Sequence, residues 1–283
     1  MFELPECVIL ARQMNGSLKG RTVQTGVLGN SPHKFVWYNR THQEFEALTR
    51  GKRVGDAASR GRWLFVALEP GHVLLLGECG GKVLFHAAGS PMPKKYHLCL
   101  TFEDASFFTV TTQMWGAMEL YEKGAEQNRQ YVKDMRPTPV DDAFTFEYFH
   151  DLIRGLEEKR SVKGLLTQDQ LVPGLGNAIA QDIMFRARLH PKLPVSELSQ
   201  AQKEKLHDEI VKTVQDVIAR GGRCDEYDLH GRHGGYVRLM DKNAAGSPCP
   251  ECGATVEKIQ YLGGACYYCP SCQVHGATPR IAS

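Results

Sequence analysis

The 283-residue sequence lacks the features that mark membrane, secreted or low-complexity proteins. It has no run of about 18 apolar residues, so no membrane span is evident. Its start has neither a basic segment nor an apolar stretch of signal-peptide length, which predicts a cytoplasmic protein. We find no internal repeat in it. The net charge is only +2, which does not require a polyanionic partner but permits one if the 34 Lys and Arg are unevenly placed.

Nine cysteines in a chain without a secretion signal argue against a disulfide framework and favour a metal site or buried thiols. Cys249 and Cys252 form one C-x2-C pair, and Cys269 and Cys272 form another, with sixteen residues between the pairs. Two such pairs supply the four soft ligands of tetrahedral zinc. A fully ligated site has no open position for water, so we expect a structural zinc finger. Cys266 breaks the pattern and is predicted to be a spare thiol.

Apolar patterning predicts a β-rich first half and a helical second half. Runs such as VLLLGECGGKVLFH are broken by Gly and Asp in the manner of short strands, after an early helix near Pro5–Met14. A proline-punctuated linker, DMRPTPVDDAF, precedes segments with the three-and-four spacing of helices. Ser196 or Ser199 caps the last helix, and Gly221-Gly222 ends it. The stretch VEKIQYLGGACYY predicts two strands around a Gly263-Gly264 turn.

The stretch LVPGLGNAIAQDIMFRA carries a second specific signal. Pro173, Gly174 and Gly176 make a tight turn, and Asn177 then lies at a helix start. Free backbone amides there, with the Asn177 side chain, suit an anion such as a phosphate. Lys163, just upstream, could close on the same anion. Taken alone, the motif equally describes an ordinary corner between two helices.

The order of these pieces carries a resemblance to a known family. From Met1 to Gln273, the sequence resembles the formamidopyrimidine-DNA glycosylase/endonuclease VIII family of base-excision repair enzymes. The resemblance is carried by the ELPE start, the β-rich half, the stretch LLTQDQLVPGLGNAIAQDIMFRARLHP and the four-cysteine finger, which occur in this order. The resemblance implies an α+β multidomain fold, with an N-terminal β-sandwich (1–133), a helix-two-turn-helix domain (134–240) and the zinc finger (241–283). It also implies that double-stranded DNA, damaged or abasic, is bound by a monomer and that the damaged base is flipped out.

The family's nucleophile is the amine of an N-terminal proline, which attacks the sugar, forms an imine and leads to β- and δ-elimination. Phe2 occupies the proline position here. Because methionine removal normally needs a small second residue, we expect Met1 to remain and to offer a primary amine, displaced by about 3.5 Å. Glu3 matches the acid that manages proton transfers. Glu6 matches a second carboxylate that stabilises the amine end, although Pro5 and Glu6 could merely cap the first helix.

Lys163 and Asn177 match phosphate-binding positions of the family, whereas two other such positions depart from its pattern. Arg62 stands where the family has a lysine on a β-hairpin. Arginine keeps the charge and grips a phosphate, but it cannot act as a base. Gly264 stands where the finger has a phosphate-binding arginine. Arg223 is a further candidate for a phosphate contact, or else part of a solvated face.

The family fills the void left by the flipped base with residues that fall here on Glu78, Gln113 and Trp115. A carboxylate at position 78 would be repelled by the DNA phosphates unless it accepts a hydrogen bond from a donor group on a base. Gln113 lacks the family's charge, and Trp115 keeps a side chain that can stack.

Two hypotheses about function follow from these matches and departures. In the first, the protein is a divergent glycosylase and AP lyase whose nucleophile is the Met1 amine or a nearby lysine, Lys34 or Lys82. In the second, it is a non-catalytic descendant that binds damaged or abasic duplexes without cleaving them. An RNA-binding module built on the same helical corner would leave the β-rich half and the finger unexplained.

Overall fold

The computed structural model describes residues 1–31 and 34–274, which fall into two compact units. The first unit comprises Met1–Met135 and Val217–Tyr236. The second comprises Arg136–Asp216 and the chain from Val237 onward. The units are therefore not contiguous in sequence. The division into domains at 133/134 and 240/241 stays a prediction, and the last nine residues of the predicted finger lie outside the described chain.

The first unit is a β-sandwich with an early helix, as the sequence predicted. One sheet has the strand order β1-β7-β8-β6 and the other β2-β9-β5-β4-β3. Strand β2 is parallel to β9, and the other neighbouring strands of the two sheets are antiparallel over their described residues. The elements are α1 (Leu4–Ser17), β1 (Val23–Leu28), β2 (Val36–Tyr38), α2 (His42–Thr49), β3 (Arg53–Arg60), β4 (Trp63–Glu69), β5 (His72–Gly77), β6 (Gly81–His86), β7 (Leu98–Phe102), β8 (Phe107–Thr112), β9 (Gly116–Glu122) and α3 (Gln130–Lys133).

Alternation along the strands explains how the five-stranded sheet is buried on both faces. In β5, Leu74 and Leu76 join the main core, which contains side chains from both sheets and from α1. The intervening Leu75 lies on the opposite face, in a smaller cluster with Trp63 and Val132. That outer face is the one that positions much of the candidate site.

The second unit contains the predicted helices and the finger hairpin. Its elements are α4 (Phe146–Arg154), α5 (Val162–Thr167), α6 (Asn177–Ala187), α7 (Gln200–Ala219, which ends in the first unit), β10 (Glu257–Tyr261) and β11 (Gly264–Tyr268). Of the two serines considered, Ser199 caps α7, since its Oγ accepts the Gln202 N–H at 3.3 Å. Gly221 and Gly222 follow the helix with positive φ, as predicted.

The turn of the finger hairpin lies one residue earlier than the sequence predicted. Leu262 (φ 49°) and Gly263 (φ 75°) form it, and both occupy the left-handed region that a tight hairpin of this type requires. Gly264 instead opens β11, paired with Tyr261. Within residues 1–31 and 34–274, no helix is both long and apolar enough to cross a membrane.

Candidate functional site

The amino terminus is fixed by burial of the second residue. Phe2 is 2% exposed and belongs to the main core, and its backbone N–H donates to the Cys79 carbonyl at 3.0 Å. Gly80 approaches the terminus closely, because a Cβ added there would lie 3.2 Å from the Cα of Met1. The position of the Met1 amine is therefore set by packing on both sides and not by a frayed chain end.

The Met1 amine is paired with an acid from a distant part of the sequence. Its nitrogen lies 3.0 Å from Oε1 of Glu226, whose side chain is 13% exposed. The Met1 thioether sulfur accepts a hydrogen bond from the Arg62 guanidinium at 3.3 Å. The chain thus brings a primary amine and a carboxylate into direct contact.

Both acids of the ELPE start are buried, and they cap α1 reciprocally. The Glu3 carboxylate accepts from the backbone of Glu6, and Oε2 of Glu6 accepts from the Glu3 N–H at 2.9 Å. The capping role considered from the sequence is thus present in the structure. Helix capping uses Oε2 of Glu6, and Oε1 of the same carboxylate contacts Arg223.

Arg223 is neither an exposed phosphate ligand nor part of a solvated face. It is 3% exposed and contacts Glu6 through Nε at 3.0 Å and Nη2 at 3.2 Å. Nη2 also donates to the Met1 carbonyl at 2.9 Å and to Glu226 at 3.3 Å. Burial alone would lower the pKa of Arg223, but Glu6, Glu3 and Glu226 raise it, so the guanidinium stays charged. Arg223 therefore links Glu6 and Glu226, the acid that pairs with the amine, to the carbonyl of Met1.

The two lysines considered as alternative nucleophiles lie over aromatic rings. Nζ of Lys34 is 4.8 Å from the centroid of the Phe35 ring, and Nζ of Lys82 is 4.4 Å from that of Tyr227. Both lysine side chains are thus held against rings of the protein, and neither of the two ring contacts involves the Met1 amine.

The residues predicted to face the void left by a flipped base do lie near residue 1. Arg62 pairs with Glu78 at 3.3 Å, and Met1, Arg62, Glu78 and Trp115 line one cavity of the first unit. Glu78 has φ 53°, a strained conformation for a residue with a side chain. Gln113 is exposed on the turn before β9, and its N–H donates to the Gly80 carbonyl at 2.7 Å; its side chain is not among those that line the cavity.

In the second unit, the structure brings the predicted phosphate ligands together at the finger hairpin. Nζ of Lys163 donates to the Tyr261 carbonyl at 2.6 Å, and Nδ2 of Asn177 donates to the Ala265 carbonyl at 3.0 Å. Burial lowers the pKa of Lys163. A Cβ on Gly264 would lie 3.5 Å from the Asn177 amide, so the position of the missing arginine adjoins the other two residues.

The four predicted metal ligands form one cluster. The sulfurs of Cys249, Cys252, Cys269 and Cys272 all lie within 4.8 Å of one another. Neighbouring backbone amides point at two of these sulfurs, because the Glu251 N–H donates to Cys249 and the Cys272 N–H donates to Cys269, both at 3.4 Å. Four sulfur donors at this spacing are the donor set that suits a soft divalent metal.

Cys266 stands apart from this cluster. It is fully buried, and burial raises the pKa of its thiol to about 11. Its sulfur is not among the four that cluster in the described chain, and its assignment as a spare thiol stays a prediction.

Sequence reasoning missed two residues of the site, Glu226 and Trp37. Glu226 lies in the stretch DEYDLHG, where nothing distinguishes it from its acidic neighbours, and its role depends on a contact across 225 residues. Trp37 gave no signal in the sequence, because its unusual 48% exposure on a three-residue strand is visible only in the folded chain.

Comparisons with known proteins match nearly the whole length of the chain. The profile of the formamidopyrimidine-DNA glycosylase N-terminal domain matches residues 1–118, and that of the formamidopyrimidine-DNA glycosylase H2TH domain matches residues 135–227. A formamidopyrimidine-DNA glycosylase of a Roseiflexus species is 30% identical over 237 residues, which cover 81% of this chain and 85% of the relative. One of Bacillus cereus is 28% identical over 285 residues, covering 99% of this chain and 100% of the relative.

Solved structures give the same result for the fold. Lactococcus lactis Fpg, in a complex with DNA that contains an abasic site, is similar with a TM-score of 0.85 and 24% identity, covering 96% of this chain and 99% of that one. The MutM (Fpg) protein of Thermus thermophilus has a TM-score of 0.81 and 26% identity, covering 97% of this chain and 100% of that one. This chain therefore belongs to the formamidopyrimidine-DNA glycosylase family of base-excision repair proteins.

Proposed function

We propose that this protein is a DNA glycosylase and AP lyase that uses the Met1 amine in place of the family's proline amine. The contact that carries the proposal is the 3.0 Å pair between the Met1 nitrogen and Glu226, on a terminus fixed by the burial of Phe2. A primary amine forms an imine with a sugar aldehyde as a proline amine does, so the chemistry of the class is preserved.

Glu226 supplies the proton acceptor that this nucleophile needs. An ammonium has no lone pair, and the carboxylate at hydrogen-bond distance takes its proton. The freed amine then attacks C1′ of the damaged nucleotide, and the bond between the sugar and the base breaks with its electron pair on the base. The nitrogen loses a further proton, and the C1′–O4′ bond opens with its electron pair on the ring oxygen, which takes a proton, so that a protonated imine forms at C1′. This imine makes the C2′ proton acidic. Removal of that proton forms a C2′–C3′ double bond and expels the 3′ phosphate with the electron pair of the C3′–O bond, which is β-elimination.

Glu3 and Glu6 take different roles in this scheme. Glu3, which matches the family's acid, is proposed to protonate the sugar ring oxygen. Glu6 is proposed as a positioning residue, because its carboxylate meets the substrate-side amine only through Arg223, which binds the Met1 carbonyl.

The DNA-binding residues are proposed in two groups. Lys163 and Asn177 grip a backbone phosphate beside the finger hairpin, and Arg62 grips a second phosphate near the amine, while Trp115 and Gln113 face the opened base pair. The solved relative from Lactococcus lactis binds DNA with an abasic site, and we propose the same partner here. The protein acts as a monomer in the cytoplasm.

We propose that the metal of the finger is structural zinc. Zinc–thiolate bonds of about 2.3 Å place tetrahedral sulfurs roughly 3.8 Å apart. The sulfurs of Cys249 and Cys272 are 3.9 Å apart and those of Cys252 and Cys269 are 3.4 Å apart, which supports this choice. Zinc would hold β10 and β11 where Lys163 and Asn177 meet the hairpin.

A second candidate function is binding of damaged or abasic duplexes without cleavage. It is favoured by one observation, which is that the candidate groups are already engaged within the protein. The Met1 amine is ion-paired, Glu3 and Glu6 cap α1, and Arg62 is paired with Glu78. A site saturated in this way needs rearrangement before it reacts.

Strand cleavage of an abasic duplex by untagged protein separates the two functions. We expect cleavage by the wild type and a loss of about 10²- to 10⁴-fold in Glu226→Gln, the range for a missing acid–base group. Asp225→Asn, which makes the same change at the exposed acid next in the chain, serves as the matched control and should cleave normally. Tight binding without cleavage by the wild type would establish the second function instead.

A further inference from the structure

Residues 223–236 follow α7 and form a loop, all within the first unit, that is closed at two positions. Arg223 forms a backbone bridge with Tyr236 at the base of this 223–236 loop. Tyr227 forms a second bridge with His233, and the centroids of their two rings lie 4.2 Å apart. The two arms of the loop are thus joined both at its base and nearer its tip.

The tip of the 223–236 loop is inserted into the β-sandwich. Leu229, the only aliphatic residue of the loop, is 0% exposed and belongs to the main core. Its carbonyl accepts the Phe85 N–H at 2.9 Å, and its own N–H donates to Oε1 of Gln13 at 2.9 Å. Nε2 of Gln13 also donates to Asp228 at 2.9 Å. The tip is therefore anchored to a strand, β6, and to a helix, α1, of the same sandwich.

The turn at the tip is fixed by its own hydrogen bonds. Oδ1 of Asp228 accepts the N–H of His230 at 2.9 Å and that of Arg232 at 2.8 Å. The Asp228 N–H donates in turn to the Arg232 carbonyl at 2.9 Å. A side chain that binds backbone groups two and four residues further along limits the conformations of a turn. The anchor at Leu229 is therefore attached to a defined backbone.

Glu226 lies midway between two buried anchors. Arg223 precedes it by three residues, is 3% exposed and is bound to Glu6. Leu229 follows it by three residues. Three residues of chain span at most about 11 Å, so each anchor restricts where the Glu226 carboxylate can lie. The carboxylate between them is the one that meets the Met1 amine at 3.0 Å.

A purely structural role for Leu229 would be to cover the edge of the sheet, since β6 is an edge strand. Burial of an apolar side chain suffices for that role. The structure additionally fixes both the N–H and the carbonyl of Leu229, through Gln13 and Phe85. Such bonds set the position of the backbone, and a misplacement of about 1 Å in a reacting group costs about 100-fold in rate. The contacts thus favour a role in placing Glu226.

We infer that Leu229 is a positioning residue of the reaction, which holds the Glu226 carboxylate against the Met1 amine by fixing the backbone three residues away. Leu229 adds no chemical step, and Glu226 remains the group that takes the proton. The inference rests on the proposed function, because it concerns how the proton acceptor of that scheme is held in place.

Single-turnover cleavage of an abasic duplex by Leu229→Ala tests the inference. We expect the cleavage rate to fall by about 100-fold, the cost of a misplaced reacting group. Equilibrium binding of a duplex with a tetrahydrofuran abasic analogue, which cannot form an imine, should be unchanged. Leu229→Met, which nearly conserves the side-chain volume, should restore most of the rate.

Leu28→Ala is the matched control for loss of a core leucine. Leu28 is 1% exposed in the same core, but it lies in β1, at the opposite edge of the sheet from β6. It should cleave at close to the wild-type rate. If Leu229→Ala does not fold, as judged by circular dichroism, Gln13→Leu removes the polar contacts of the tip and should slow cleavage in the same selective way.

Combining Leu229→Ala with Glu226→Gln separates positioning from a general effect on the fold. If Leu229 acts through Glu226, the double variant should cleave no more slowly than Glu226→Gln alone. Additive losses, or equal rates for Leu229→Ala and Leu28→Ala, would overturn the inference while the proposed function stands. If the wild type does not cleave, or if Glu226→Gln cleaves normally, the proposed function fails and the inference fails with it.

Discussion

Substituting Arg223 by methionine should strongly destabilise the first unit. The guanidinium and the Glu6 carboxylate are each 3% exposed and are joined by two side-chain hydrogen bonds. Removing one partner leaves the other charge buried without compensation, which costs about 3–5 kcal/mol. For a unit of this size, each kcal/mol lowers the melting temperature by about 2–4 °C, so we expect a fall of about 6–20 °C.

Urea unfolding monitored by tryptophan fluorescence measures this loss, because the free energy of unfolding extrapolates linearly to zero denaturant. Lys19→Met is the control, since Lys19 and Asp56 form an ion pair that is 52% and 78% exposed and contributes at most about 1 kcal/mol. Adding Glu6→Gln to the Arg223 variant should recover part of the loss by removing the orphaned charge. If Arg223→Met costs no more than Lys19→Met, the buried pair does not secure the terminus.

Three further predictions concern other parts of the chain. Gly264→Arg should tighten duplex binding and steepen the slope of log K against log salt by about 1, as one added phosphate contact would. Cys252→Ala should lose the finger's zinc in metal analysis, whereas Cys266→Ala should retain it. Asp228→Asn should reduce the acid sensitivity of the free energy of unfolding. Burial raises the pKa of Asp228, but hydrogen bonds, first among them that from the Arg232 backbone, outweigh burial and lower the pKa below its ordinary value of 3.8. The ionised Asp228 therefore stabilises the folded state above pH 3.8, and this contribution is lost as the pH falls through the folded-state pKa.

Each of these has an outcome that would contradict it. Gly264→Ala should leave the salt slope unchanged, and an equal effect of alanine and arginine would mean that no phosphate lies there. Loss of zinc from Cys266→Ala would place that thiol among the ligands. Asp151→Asn is the control for Asp228→Asn, because the Asp151 side chain is 69% exposed. If the free energy of unfolding depends on pH in the same way in both variants, the hydrogen bonds to Asp228 do not cause the acid sensitivity.

Local patterns were sufficient for much of the fold. The spacing of four cysteines predicted the cluster, and the three-and-four spacing and the Gly221-Gly222 pair predicted α7 and its end. The hairpin turn was misplaced by one residue because the sequence offers two adjacent glycines, whereas the structure tolerates Leu262 at positive φ. Patterns of this kind act over a few residues, and they succeed where tertiary contacts do not override them.

The centre of the site depends on contacts that no local pattern contains. Nothing near Phe2 indicates that its ring completes the main core, and the partners of the terminus, Arg223 and Glu226, follow it by more than 220 residues. The cavity beside Met1 requires knowledge of register across four strands, since one row across β4, β5, β9 and β2 is formed by Trp63, Gly77, Ala117 and Trp37. Long-range pairing of this kind is set by the whole chain.

Borohydride trapping on an abasic duplex, followed by peptide mapping of the adduct, tests the central claim most directly. Reduction converts an imine between the protein and the sugar into a stable bond, so the modified residue identifies the nucleophile. The account predicts a covalent adduct on the amine of Met1 that is strongly reduced in Glu226→Gln. An adduct on Lys34 or Lys82, or tight binding with no adduct at all, would contradict it.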